Sequence, residues 1–178
     1  MELAQLQQLV EQYGKVVYAF CYQLTGSQQD CDELYQDTFL KAVELHQQID
    51  AAQNPKGFLI AIAARLWRNR SRKYAWRQRI APTESIDAVT DSILSGGVDT
   101  ENPETAVLRR EQQQIVRQAV AALPDKLKIP LYMYYTAELS TAEIAQLLRI
   151  PQGTVKSRLH KARSQLKEKL EVCWYEAE

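Results

Sequence analysis

The sequence has few glycines, cysteines and histidines, and it has no long apolar run. The three cysteines (Cys21, Cys31 and Cys173) are an odd number without C-x-x-C spacing, and the chain has only two histidines as further metal ligands. Neither a disulfide framework nor a zinc site is therefore expected. No apolar run approaches the ~20 residues that span a bilayer, and the first residues lack a signal-peptide pattern. We therefore expect a cytoplasmic protein without metal or cofactor, in which Cys21 and Cys31 are buried free thiols.

The scarcity of glycine, six residues in 178, leaves long stretches of Gln, Ala, Leu, Glu and Arg that predict an all-α protein. Apolar residues recur at helical spacing at about 3–24, from Ser27 to about Gln47, and at about 56–79. Val10, Val17 and Phe20 belong to the apolar stripe expected on the first of these helices. Three helices of this length can enclose one small core, so they predict a first helical domain.

A change in pattern separates this domain from a second one. Residues 81–102 contain proline, glycines and many Ser, Thr and Asp residues without sustained periodicity, so an acidic, flexible linker is predicted there. Asn102-Pro103 then predicts a helix start, and Leu123-Pro124 predicts its end. With a helix through Pro130 and two more beyond it, the second domain has four helices. The chain is thus divided into 1–80, 81–102 and 103–178.

The formal net charge is zero, but the charges are segregated along the chain. Residues 1–50 carry eight acids and two bases, whereas residues 51–80 carry eight bases and no acid. Residues 81–105 carry six acids and no base, and residues 106–178 carry twelve bases and eight acids. Because surface potential depends on local charge, two basic patches can bind phosphate on a chain that is neutral overall.

Residues 140–163 have the pattern of a helix-turn-helix. Ser140 and Glu143 form an S-x-x-E capping box, which predicts a helix start at Thr141, and Pro151 suits the first turn of a second helix. Six residues lie largely off the apolar stripe of that second helix, free to meet a phosphate or a base edge: Lys156, Ser157, Arg158, His160, Lys161 and Arg163. This pattern is typical of a recognition helix in the DNA major groove, and a helical hairpin with a solvated basic face is the alternative.

A second basic segment covers residues 65–79, where seven of fifteen residues are cationic and Trp67, Tyr74 and Trp76 stand among them. On a helix, the cations at positions 65, 68, 72 and 79 form a stripe that can follow a phosphate backbone, and aromatic rings beside it suit stacking on unpaired bases. Simple packing in the core is the alternative for Trp67. A protein that recognises a promoter and opens it needs both a duplex reader and a single-strand binder.

Three other kinds of protein stay open from the residues alone. A transcriptional regulator with an unrelated N-terminal domain would need a ligand pocket or a phosphoacceptor aspartate, and no strand-like segment that could carry one is evident. An enzyme acting on nucleic acid would need a carboxylate cluster or a nucleophile near the basic helix, and residues 51–80 contain no acid. An inert helical adaptor would show no salt-dependent DNA binding. We therefore expect a non-catalytic protein.

Two stretches carry specific motifs, DCDELYQDTF at 30–39 and IPQGTVKSRLHKAR at 150–163. In this order and at this separation they resemble regions 2.2 and 4.2 of the extracytoplasmic-function (ECF) group of the sigma-70 family, the smallest bacterial transcription initiation factors. The resemblance covers nearly the whole length. It implies that region 2 occupies residues 1–80, that region 4 occupies residues 103–178, and that the chain is a subunit of RNA polymerase holoenzyme that directs promoter recognition.

The resemblance also implies which residues meet DNA and polymerase. The recognition helix of region 4 would read the −35 element through Gly153, Thr154, Lys156, Ser157, Arg158, His160 and Lys161. The loop at 49–56 and the helix after it would hold melted −10 DNA through Asn54, Lys56, Phe58, Arg65, Arg68, Asn69, Arg72 and Lys73. Region 2.2 would bind the β′ clamp helices of polymerase through Asp32, Glu33, Gln36, Asp37 and Leu40.

The partners implied by the resemblance are core RNA polymerase, through its β′ clamp helices and β flap, and promoter DNA. An anti-sigma protein is implied too, because exposed DNA- and polymerase-binding faces have to be masked until they are needed. No small-molecule substrate is implied. Family members often carry Asn where Arg65 stands and Trp where Phe58 stands, so the −10 and −35 sequences stay open.

Overall fold

The computed structural model describes residues 3–45, 54–80 and 103–175, and every regular element in these ranges is an α-helix. A group of three helices is followed by a group of four, which confirms the predicted all-α fold with two helical domains. No helix within the described ranges is long and apolar enough to cross a membrane. The helices are α1 (Leu3–Thr25), α2 (Gln28–Glu44), α3 (Pro55–Ile80), α4 (Pro103–Ala121), α5 (Asp125–Tyr135), α6 (Thr141–Leu148) and α7 (Gln152–Tyr175).

Local capping explains where the first helices begin and end. α1 stops before Gly26, whose φ of 74° lies in the left-handed region that glycine adopts without steric cost. Ser27 Oγ accepts a hydrogen bond from the Asp30 N–H at 3.2 Å and so caps α2, as the sequence predicts. α2 ends at Glu44, and its cap residue Leu45 has a ψ of 15°, while the predicted end at about Gln47 lies outside the described residues. Residues 46–53 and the predicted linker at 81–102 lie outside the described residues.

The core of the first group lies between the second half of α1 and the helices α2 and α3. Its fully buried side chains include Val17, Phe20, Leu34, Leu59 and Ile60. The expected burial of Val10 is wrong, since that side chain is 38% exposed. Among the α1 side chains that the structure describes, the fully buried ones lie from position 17 onward, so the second half of the helix supplies most of its contribution to the core.

The second group places α4, α5 and α6 around α7. Met133, Leu139, Ile144 and Val155 are completely buried in its centre. α4 ends at Ala121, two residues before the predicted Leu123-Pro124, and residues 122–124 form the connection to α5. This compact arrangement fixes the direction of α7, the helix that carries the expected recognition face.

The two groups pack against each other through α3 with α5 and α6, and through α1 with α5. Their buried side chains form one connected cluster. Lys128 of α5 places its ammonium 5.8 Å from the ring centre of Trp67 in α3, and the Thr136 hydroxyl donates to the Gln23 side chain. The expected DNA-binding elements of both groups are therefore held in one arrangement.

Candidate nucleic-acid and polymerase interfaces

The turn between α6 and α7 is built from local hydrogen bonds. The Glu143 N–H donates to Ser140 Oγ at 3.2 Å and the Ser140 N–H donates to the Glu143 carboxylate at 2.8 Å, which confirms the predicted capping box. Arg149 ends α6 with φ of 54°, a left-handed conformation that costs a non-glycine residue about 1–2 kcal/mol. Pro151 stands one residue before α7 rather than inside its first turn, and its carbonyl accepts from the Thr154 N–H at 2.9 Å.

The face of α7 that packs inward is the predicted one. Val155, Leu159 and Ala162 are buried, so the polar side chains between them point away from the core. Ser157 donates to the Thr154 carbonyl at 3.0 Å, and a methyl group added at Gly153 would meet nothing within 4 Å. The exposed members of the expected −35 set are Gly153, Lys156, Ser157, His160 and Lys161, and the half-buried members are Thr154 and Arg158.

Arg163 is the exception on this helix. The sequence pattern leaves it free to meet DNA, but its Nε donates to the Tyr135 hydroxyl at 3.0 Å. Its guanidinium also lies 5.7 Å from the ring centre of Tyr134 and 5.6 Å from that of Tyr135, which are cation–π distances. The expectation for Arg163 is corrected accordingly, since this side chain joins α7 to α5.

The basic face of α3 is exposed along most of its described length. Arg65, Arg68, Asn69, Arg72 and Lys73 are all exposed, and the Arg72 guanidinium donates to Asn69 Oδ1 at 2.7 Å. These residues lie on an acid-free helix, so the phosphate backbone of a single strand could follow them.

The aromatic residues of α3 differ in environment. Trp76 is 63% exposed beside the cations, where its ring is free to stack on a base. Trp67 packs against the core, which was the alternative to base stacking in the sequence analysis. Its buried Nε1 has no hydrogen-bond partner among the described residues. Only Trp76 of these two is therefore placed for contact with an unpaired base.

Arg70 is a residue whose role the sequence did not predict. It lies in the basic run, but its guanidinium contacts the Asp37 carboxylate at 2.6 Å and the Glu33 carboxylate at 3.2 Å. These ion pairs tie α3 to the acidic face of α2, and each is partly exposed, so it stabilises the fold by about 1 kcal/mol at most. Contacts between residues more than thirty positions apart leave no periodic signal in the sequence.

The expected polymerase-binding residues on α2 fall into two classes. Asp32, Glu33 and Asp37 have partners within the molecule, because Asp32 accepts from the Tyr18 hydroxyl at 2.8 Å and the other two bind Arg70. Gln36 and Leu40 are exposed, and Leu40 is 64% exposed, the largest value among the large apolar side chains that the structure describes. Such an exposed apolar side chain beside polar ones is typical of a protein-binding surface.

The two described cysteine side chains are buried free thiols, as expected. Burial raises the pKa of Cys21 to about 12 and that of Cys31 to about 11. The Cys31 thiol donates to the Tyr18 carbonyl at 3.6 Å. Both groups are therefore neutral and poorly nucleophilic at physiological pH, while the Cys173 side chain lies outside the described residues.

The start of α3 lies directly against α6. Asn54 caps α3 by accepting from the Gly57 N–H at 2.8 Å, and its Nδ2 donates to the Glu143 carboxylate at 2.5 Å. The Ser140 hydroxyl and N–H lower the pKa of Glu143, and the nearby Lys56 ammonium lowers it further. The cap residue of α3 is thus hydrogen-bonded to the capping box of α6. Three expected −10 residues are half-buried at or near this contact: Asn54, Lys56 and Phe58.

Comparison with known families assigns the two groups of helices. The family description Sigma-70 region 2 matches residues 9–77, and Sigma-70, region 4 matches residues 113–166. The chain is also 30% identical over 166 residues to the ECF RNA polymerase sigma factor SigW of Bacillus subtilis, across 91% of this chain and 87% of that protein. The chain belongs to the ECF group of the sigma-70 family. The ECF RNA polymerase sigma-E factor of Escherichia coli is 30% identical over 146 residues, across 80% of this chain and 74% of that protein.

Solved structures share the fold of this ECF family member. The sigma factor RpoE, crystallised with the anti-sigma factor NepR from Bartonella quintana, has a TM-score of 0.77 at 20% identity, across 96% of this chain and 99% of that chain. CnrH, solved with the cytosolic domain of CnrY, has a TM-score of 0.66 at 18% identity, across 96% of this chain and 90% of that chain. Both likenesses support the arrangement of seven helices.

Proposed function

We propose that this ECF sigma factor binds core RNA polymerase and directs it to promoters, where it holds −35 duplex and melted −10 DNA. The observation that carries the proposal is the exposed polar face of α7, which follows a capped α6 and a tight turn. Its role is binding rather than catalysis, and we place it in the cytoplasm, where RNA polymerase acts.

The work is divided between the two helical groups. Residues 1–80 bind polymerase and the −10 strand, residues 81–102 connect the groups, and residues 103–178 read the −35 element. On α7, Lys156, His160 and Lys161 are exposed side chains with the length or the ring nitrogens needed to reach base edges or phosphates. On α3, the exposed cations Arg68 and Arg72 neutralise backbone phosphates of the displaced strand.

The apolar surfaces of the chain support protein partners. A groove of about 610 Å³ between α4, α5 and α7 is lined by Val116, Val120, Leu166 and Leu170, and it suits an apolar helix such as one from the polymerase β flap. Leu40 on α2 offers a second apolar contact for the β′ clamp helices. An anti-sigma protein that covers these surfaces would keep the factor inactive, as the complex of RpoE with the anti-sigma factor NepR suggests for this chain.

A pull-down with core polymerase tests the polymerase interface. The variant Gln36→Ala with Leu40→Ala removes the two exposed residues of the expected site that form no ion pair within the described chain, and it leaves the ion pairs of Arg70 intact. Val10→Ala is the matched control, since Val10 is also an exposed apolar residue, on α1. We expect the double variant to lose polymerase and the control to retain it, with equal helix content by circular dichroism. Retention by the double variant would contradict the assignment of α2.

A further inference from the structure

A cleft of about 290 Å³ lies between the two groups of helices, and three cations from three different helices line it. Arg68 comes from α3, Lys126 from the first turn of α5, and Arg158 from α7. Arg68 belongs to the first group and the other two belong to the second, so the cleft exists only while the groups are packed together.

None of these three side chains has an ion pair or hydrogen bond within the part of the chain that the structure describes. Asp125 also lines the cleft, but its carboxylate is 3.4 Å from the ammonium of the buried Lys128 and is therefore engaged. The cleft thus gathers three positive charges against one carboxylate, which is already paired with Lys128. Like charges held in one concave site repel, and a bound anion would remove that cost.

The backbone adds to the same potential. Asp125 begins α5 at this cleft, and the cap residue Pro124 supplies no side-chain acceptor for the first N–H groups of the helix. The positive end of the helix dipole adds to the three side chains, and the Asp125 carboxylate in the same turn offsets part of it. The remaining wall is apolar and is formed by Ile129, Leu148 and Ile150 with Pro130.

We propose that this cleft binds a nucleotide-sized polyphosphate, with its phosphates on the three cations and its base against the apolar wall. The cleft is at the small end of the roughly 300–1,000 Å³ range of ligand pockets, which fits one nucleotide and excludes a DNA duplex. Because the ligand contacts both groups, it holds them together. This regulatory consequence rests on the proposed function, since Arg68 and Arg158 are also expected DNA contacts, and a ligand that occupies both competes with promoter binding.

Isothermal titration calorimetry of the full chain at low salt tests the site, with metal-free ATP and inorganic tripolyphosphate as probes. The decisive variant is Lys126→Gln, which removes one cleft cation that no DNA or polymerase contact uses. The matched control is Lys169→Gln, which removes an exposed cation of α7 that does not line the cleft. A third variant, Gly57→Ala, crowds the contact between the two groups, because its methyl carbon would lie 3.1 Å from Leu147 Cδ1.

We expect one saturable site for both probes, with ATP the tighter because its base contacts the apolar wall. Lys126→Gln should weaken binding by about tenfold or more, while Lys169→Gln changes it by less than about twofold. Gly57→Ala should weaken binding in proportion to the fraction of molecules whose two groups have separated. Absence of saturable binding, or an equal loss in the Lys169→Gln control, would overturn the proposal. Unchanged binding in Gly57→Ala, in a sample whose radius of gyration shows that the groups have separated, would show that the site does not lie between them. These results involve neither polymerase nor promoter, so they stand apart from any failure of the proposed function.

Discussion

The contact between the start of α3 and α6 predicts that a single methyl group weakens the packing between the two groups of helices. In Gly57→Ala the new carbon would lie 3.0 Å from Asn54 Cγ and 3.1 Å from Leu147 Cδ1, tighter than ordinary van der Waals contact. The Asn54 side chain has to move, and with it goes the hydrogen bond of its amide to Glu143. Leu147 is also displaced, because it lies on the opposing helix α6.

The magnitude follows from these two effects. A hydrogen bond to a partly exposed carboxylate contributes about 1 kcal/mol, and overpacking of one contact costs at least about 1 kcal/mol. The packed arrangement therefore loses about 2 kcal/mol, which shifts the ratio of packed to separated molecules by about 30-fold. The gain in helix propensity on replacing glycine by alanine, about 1 kcal/mol, is the same in both arrangements and does not alter this ratio.

Small-angle X-ray scattering measures the outcome. A compact chain of 178 residues has a radius of gyration of about 16 Å, and separation of the two groups raises it. Gly153→Ala is the matched control, because it makes the same change near a helix N-terminus where nothing lies within 4 Å of the new carbon. A shift of about 30-fold becomes visible where a few per cent of the unaltered molecules are already separated, so the three chains are compared along a urea series that reaches this point. There we expect a larger radius for Gly57→Ala alone. Equal radii for both variants and the unaltered chain would refute the argument.

Three further predictions concern DNA and the buried thiols. Lys156→Ala and Lys161→Ala each weaken −35 binding in a fluorescence titration by about 1–3 kcal/mol if the lysine contacts a base. If the lysine contacts a phosphate, its removal lowers the slope of log binding constant against log salt concentration by about one. Unchanged binding in both variants would contradict the assignment of the recognition helix. Arg68→Ala with Arg72→Ala impairs transcription from a duplex promoter more than from a pre-melted −10 bubble, and an equal loss on both templates would make α3 a general DNA anchor. Iodoacetamide labels the buried thiols of α1 and α2 slowly even as pH rises through 9.0, because their raised pKa values keep them in the neutral thiol form. Mass spectrometry measures the labelling, and fast labelling in the folded chain would contradict the burial of these thiols.

Local and periodic signals in the sequence predicted most of the fold. The Ser27 cap, the Ser140 capping box and the buried stripe of α7 are set by residues within a few positions of one another, and all are confirmed. Errors arose where tertiary packing decides. Val10 continues an apolar stripe but is exposed, and Arg163 lies on a polar face but is held by tyrosines of α5.

The interfaces were predicted only in part, because long-range pairs leave no mark on a single sequence. The DNA and polymerase contacts follow from motifs, and they stay predictions. Neither the bond from Asn54 to Glu143 nor the ion pairs of Arg70 with Glu33 and Asp37 could be read from spacing, since each joins residues far apart in the chain. These contacts decide which expected DNA and polymerase residues are free and which are engaged within the molecule.

Run-off transcription with core RNA polymerase on a genomic promoter pool tests the central claim most directly. The account predicts discrete transcripts that depend on this chain, from templates that share −10 and −35 elements at a fixed spacing. It also predicts that they disappear with the Gln36→Ala and Leu40→Ala double variant and persist with Val10→Ala. If polymerase starts no chain-dependent transcripts from any template in the pool, the assignment as a promoter-recognition subunit is contradicted.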